Sequence, residues 1–139
     1  MRKIKFRAWN KKTQEMCYFV ELTCYQDGSL GICASNNRNS SQGSTEDFEL
    51  QQYTGLKDKN GVEIYEGDVI KCMIPCEYEE FNNYIVGYDF GAFCLYKNIN
   101  AKYPVKQWND GTNDWYSIEN VEFMEVIGNI YKSLNILNQ

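Results

Sequence analysis

Residues 51–72 read QQYTGLKDKNGVEIYEGDVIKC, and the punctuation of this run decides the fold class. Two turn signals, Lys57-Asp58-Lys59-Asn60-Gly61 and Tyr65-Glu66-Gly67-Asp68, bracket the short alternating piece VEIY. The second leads straight into Val69 and Ile70. Asn-Gly between apolar runs is a hairpin signal, and its two-residue turn needs positive φ at both central residues. The expectation is a strand over FELQQYTG from Phe48, a tight turn at Asn60-Gly61 and a return strand VEIY. Gly67-Asp68 then opens a further strand, DVIKCMI. Gly55 and Gly67 read as turn positions, and Asp68, beside a turn, is expected to accept a local backbone N–H.

The same reading extends to both ends. KIKFRAW at 3–9 alternates strictly, with Ile4, Phe6 and Ala8 on one face and Lys3, Lys5, Arg7 and Trp9 on the other. That is the pattern of a half-buried strand. Asn10 to Thr13 turns the chain, Met16 to Leu22 return, and Asp27-Gly28 makes another hairpin turn before SLGICA. Residues 35–47, SNNRNSSQGSTED, are polar and aperiodic, which predicts a flexible loop. The expected organisation is an N-terminal β-hairpin arm over 1–34, that loop, and a body over 48–139. In the body, Pro75 ends the DVIKCMI strand or places it on an edge. YIVGYDFGAFCLYK at 84–97 forms a hairpin bent at Asp89 to Gly91, and EFMEVIGNIY at 122–131 a last strand with a bulge at Gly128. Only the tail has a helical look. The predicted fold is mostly β with little helix: a small bent SH3-like barrel, or a sandwich.

Composition agrees. An aromatic share of 15%, with 11 Tyr and 7 Phe, favours pleated, half-buried surfaces. No apolar run approaches the roughly 20 residues of a spanning helix, and the N-terminus lacks a signal peptide's apolar core, so the expected compartment is the cytosol and no membrane is implicated. Six cysteines, Cys17, Cys24, Cys33, Cys72, Cys76 and Cys94, lack the tight paired spacing of a zinc knuckle, and the chain has no histidine. They read as reduced thiols filling small core positions. No metal or other cofactor is expected.

Three stretches together resemble the YopX family, encoded in phages and prophages of Gram-positive bacteria: KFRAWN at 5–10, QQYTGLKDKNGVEIYEGDVIK at 51–71 and VIGNIY at 126–131. The middle stretch is the specific one. The resemblance implies a mostly β protein of phage ancestry without an established activity. It supplies no catalytic motif to carry over to these residues.

The residues themselves do not compose an active site. Without histidine the commonest general base is missing. Glu63, Glu66 and Asp68 cluster beside turns, and Glu77, Glu79 and Glu80 read as a solvated loop. The glycines lack phosphate-loop spacing. The expectation is therefore a non-enzymatic binding module, contacting an unknown protein partner or a second copy of itself. Trp108 and Trp115, flanking NDGTND, are candidate anchors, because Trp supplies large contact area. The alternative is single-stranded nucleic acid. Six basic groups and no acid fall in the first twelve residues of a chain whose net charge is −5. Lys3, Lys5 and Arg7, about 6–7 Å apart on an extended strand, can follow a phosphate backbone, and Trp9 can stack on an unpaired base. Against this, a half-exposed strand needs polar residues on its wet face in any case.

Overall fold

The computed structural model describes residues 3–73, 81–89, 92–104, 106–107 and 124–132. All regular structure among them is β, with no helix, and the fold includes a curled half-barrel sheet in keeping with a small barrel or sandwich. Contacts divide the chain into two compact units, Met1–Tyr53 and Thr54–Gln139.

The first unit begins with the hairpin β1 (Phe6–Asn10) and β2 (Glu15–Cys17). Asn10 closes its turn twice over: its carbonyl accepts from the Gln14 N–H, and its side-chain oxygen accepts from the N–H groups of Lys12 and Thr13. A second hairpin joins β3 (Phe19–Cys24) to β4 (Leu30–Ser35) through the expected Asp27-Gly28 turn, where Gly28 has φ +90°. The strand expected over Met16 to Leu22 is thus divided at Tyr18 between two sheets. One sheet places β1 between β2 and the first half of β6 (Phe48–Lys57), pairing Phe6 with Gln52 and Asn10 with Phe48. The other has the order β3-β4-β5, with β5 at Ser40–Gly43. Ala8, Cys17 and Phe48 from the first sheet meet Ile32 and Ala34 from the second, with Val20, Leu22, Leu30 and Leu50 around them. Two sheets closed over one apolar layer make a small sandwich.

Two expectations change here. The 35–47 stretch contains β5, a strand made of Ser-Ser-Gln-Gly, whose place is set by pairing with β4 and by the Asn10 side-chain amide, which donates to Ser41 Oγ. Hydrophobic pattern could not have shown it. The compact first unit also runs on to Tyr53 rather than ending at a loop.

The second unit opens with the second half of β6, paired with β7 (Glu63–Tyr65). The main sheet follows, in the order β11-β10-β9-β8-β12, with β8 at Asp68–Met73, β9 at Phe81–Asp89, β10 at Ala92–Tyr96, β11 at Lys106–Gln107 and β12 at Met124–Asn129. β9 and β10 pair antiparallel, Asp89 with Ala92, while the bend expected at Asp89 to Gly91 falls on residues 90–91, outside the described residues. The register of β12 on β8 slips between Val126 and Gly128, at the expected bulge. Ile64, Ile70, Val86, Leu95 and Met124 centre the core.

The punctuated run folds largely as read. Gly61 and Gly67 both have φ +80°. Asn60 does not have positive φ, so the turn is not the two-residue form. Instead the Asp58 N–H donates to the Val62 carbonyl and the Gly61 N–H to the Asp58 carbonyl, leaving three loop residues with Gly61 in the left-handed conformation. That is the three-residue hairpin loop with a glycine bulge. Gly55, expected at a turn, lies inside β6 with φ +91°. Asp68 does accept the Tyr65 N–H, at 2.8 Å. Pro75, Cys76 and the tail beyond 132 lie outside the described residues.

Candidate functional site

The basic N-terminal strand is not an exposed row. Arg7 and Trp9 are each only 4% exposed, while Ile4, expected inside, is 62% exposed. Along β1, Arg7, Ala8, Trp9 and Asn10 are all buried, so side chains of both parities are covered, Ala8 packing against Ile32 and Ala34 within the sandwich. The Arg7 Nε donates to Gln51 Oε1 at 2.8 Å across the β1–β6 pair, inside the protein. The Lys5 ammonium lies 5.5 Å from the Tyr53 ring centre, a cation–π distance. Of the expected patch, Lys3 stays exposed, Trp9 has no open ring face for a base, and the guanidinium of Arg7 is engaged internally. Trp108 and Trp115 lie outside the described residues.

The structure brings together a different surface, the outer face of the three-stranded sheet. Register fixes its composition. Val20, Leu22, Leu30, Ile32 and Ala34 point into the sandwich, so the alternate residues point away from it. They form cross-strand rows: Phe19, Ser35 and Ser40; Glu21, Cys33 and Gln42; Thr23 and Gly31. Small side chains fill the middle of this face, and an aromatic stands at its edge. The result is an open concavity of about 530 Å³, lined by Tyr18, Phe19, Glu21, Cys33, Ser35, Ser40 and Gln42 among others, with no lysine or arginine in its lining. Phe19 is 69% exposed, and Tyr18 and Tyr25 are also open. The Tyr25 ring lies beside Gly31, 3.5 Å from where a Cβ on that glycine would stand. The sequence contained a signal for this surface that alternation alone did not bring out: FVELTC puts a phenylalanine on the same face as Glu21 and Thr23.

This face offers hydroxyls, an amide, one carboxylate, one thiol and aromatic edges. That set recognises peptide and apolar groups. It lacks the cations that hold phosphates.

Other polar groups are structural. The Asp58 carboxylate is buried and accepts from three backbone N–H groups, those of Asn60 and Val62 on one oxygen and that of Val126 on the other. Glu15 accepts from the side-chain amides of Asn36 and Asn39 and faces Arg38, and these bonds, Asn36 first, hold its carboxyl below the usual range. Burial raises the Cys17 and Cys94 thiols, which fits core residues and not nucleophiles. Burial also raises the Tyr96 hydroxyl, which donates to Asp89 at the end of β9. Among the described residues, no three metal-ligating side chains converge, and the Glu77–Glu80 cluster is outside them. No described helix is long and apolar enough to cross a membrane.

The whole arrangement has counterparts. Protein EF1440 from Enterococcus faecalis superposes with a TM-score of 0.62 at 27% identity, covering 99% of both chains. Protein yopX from Bacillus subtilis superposes with a TM-score of 0.60 at 19% identity over 98% of both chains, which shows a shared fold. No curated protein matches the chain. The family model described as YopX protein matches residues 5–138, nearly the full length. The chain belongs to the YopX protein family.

Proposed function

We propose that this chain is a non-enzymatic binding module, a phage or prophage accessory protein that works in the bacterial cytosol by contacting another protein. The observation that carries this reading is the outer face of β3-β4-β5. Exposed aromatics flank a concavity without cations, and Phe19 in particular presents most of its ring to solvent. Aromatic anchors beside a shallow pocket are the usual energetic centre of a protein interface. The alternative ligand, single-stranded nucleic acid, has exposed Lys3 and Lys12 in its favour. The burial of Arg7 and Trp9 counts against it.

A pull-down from a lysogenic Gram-positive host tests the reading, using the parent chain, Phe19→Ser and Gln42→Arg. Both substitutions are at exposed positions and should leave the fold intact. The expected result is a protein retained by the parent and lost with either variant. Retention unchanged by both would remove this face from consideration.

A further inference from the structure

The edge of β3 carries the argument further, resting on the reading of this sheet as a protein-contact surface. β3 is an end strand of its sheet, and its backbone phase is known. The Tyr25 N–H donates to the Ser29 carbonyl, so residues of the same parity, Phe19, Glu21 and Thr23, direct their N–H and C=O groups toward β4. Val20, Leu22 and Cys24 therefore direct theirs outward, and among the described residues no protein group accepts or donates there.

Natural edges of this kind are blunted by brevity, lysine, proline or a bulge. The other end strands described here follow that rule. β2, β7 and β11 have three residues or fewer, β5 has four and is tied to Asn10, and β12 is bulged. β3 has six residues, Phe-Val-Glu-Leu-Thr-Cys, without lysine, proline or bulge, and Glu21 is its one charge.

We infer that the β3 edge pairs antiparallel with the β3 edge of a second copy of this chain, with Leu22 opposite Leu22, joining two three-stranded sheets into one. A two-fold axis normal to the sheet keeps each residue on its own face, so only registers that pair residues of equal parity are open. Centring on Glu21 would set two carboxylates face to face, which opposes association. Centring on Val20 sets Phe19 against Glu21. Centring on Leu22 sets Phe19 against Tyr25 and Glu21 against Thr23 on the outer face. It also pairs Val20 with Cys24, using the backbone groups that point outward. Two exposed aromatics cover each other, and each carboxylate meets a hydroxyl. Among these registers, this one is complementary throughout.

Thr23 is exposed and carries the test without endangering the core. Sedimentation across a concentration series should show a dimer for the parent chain. Thr23→Glu, placed opposite the partner's Glu21, should weaken it by about threefold or more, and Thr23→Lys should tighten it by a similar factor, because each change acts at two symmetric cross-strand pairs. Added salt should shrink both effects. In parallel, amide exchange at Val20, Leu22 and Cys24 should slow as concentration rises, while Glu21 and Thr23 stay protected throughout by β4. A parent that stays monomeric, shifts of the same sign for both variants, or concentration-independent exchange at Leu22 overturns the self-pairing. In the monomer case, a foreign protein retained through Phe19 would leave the broader binding function standing. A dimer that passes these tests but retains nothing in the pull-down supports self-pairing alone.

Discussion

At the scale of single residues, Gly61 and Asp58 show how one turn uses two different devices. Gly61 has φ +80°, and a Cβ built there meets nothing within 4 Å. Space is available, so a side chain at this position is penalised by backbone strain alone. Gly61→Val should therefore lower stability by about 1–3 kcal/mol in chemical denaturation, with the denaturant slope unchanged. Asp58 is the opposite case, a matter of partners and not of conformation. Its carboxylate joins the turn at Asn60 and Val62 to Val126 in β12. Asp58→Ala removes the shared acceptor of the Asn60, Val62 and Val126 N–H groups. It should cost about 1–3 kcal/mol, since hydrogen bonds to a charged group are worth about 1.5–3 kcal/mol and water reaches part of this turn. Asp58→Asn keeps one acceptor oxygen and should fall between parent and Ala.

Among the elements, β6 and β1 carry the first unit. Phe48 opens β6, pairs with Asn10 and fills the space between the two sheets. Phe48→Ala should cost about 3–5 kcal/mol, read as loss of the cooperative thermal transition or a large fall in its midpoint. Much of this was legible in advance. FELQQYTG, VEIY, DVIKC and the bulge at Gly128 could be read because alternation and glycine spacing act locally. β5 could not, since Ser-Ser-Gln-Gly has no apolar period and is held by β4 and Asn10 from elsewhere in the chain. β1 misled for a related reason. Its alternation promised one wet face, but the face that carries Arg7 and Trp9 is covered as well, and Arg7 bonds Gln51 in the interior. The candidate surface was missed because it depends on register across three strands.

For the whole molecule, acid is the informative variable. Glu15 is held below its ordinary value of 4.5 by the amides of Asn36 and Asn39, and Asp27 below 3.8 by Ser29. A folded-state value below the unfolded one means that the stabilising effect is complete above the ordinary value. It is lost as the pH falls through the depressed value. Thermal midpoints of the parent should thus drop on acidification below about pH 4.5. Glu15→Gln, which lacks this contribution at every pH, should lie below the parent at pH 7 and converge with it in acid, so that part of the fall is flattened. An equal acid response in both proteins would show that the Glu15 network adds nothing to the folded state.

The bond from Asp58 to Val126 also has a consequence for how the protein is made. β8 lies between β9 and β12, yet β12 is synthesised some fifty residues after β8. At roughly 5–20 residues per second, a nascent chain spends several seconds with one side of β8 unpaired and the Asp58 carboxylate short of its third donor. The second unit is therefore completed only when residues 124–129 leave the ribosome, and until then Val69 and Ile70 lie on an open strand. Ribosome-arrested chains stalled before and after β12 emerges should differ sharply in protease resistance over residues 54–89, with protection appearing only in the longer one.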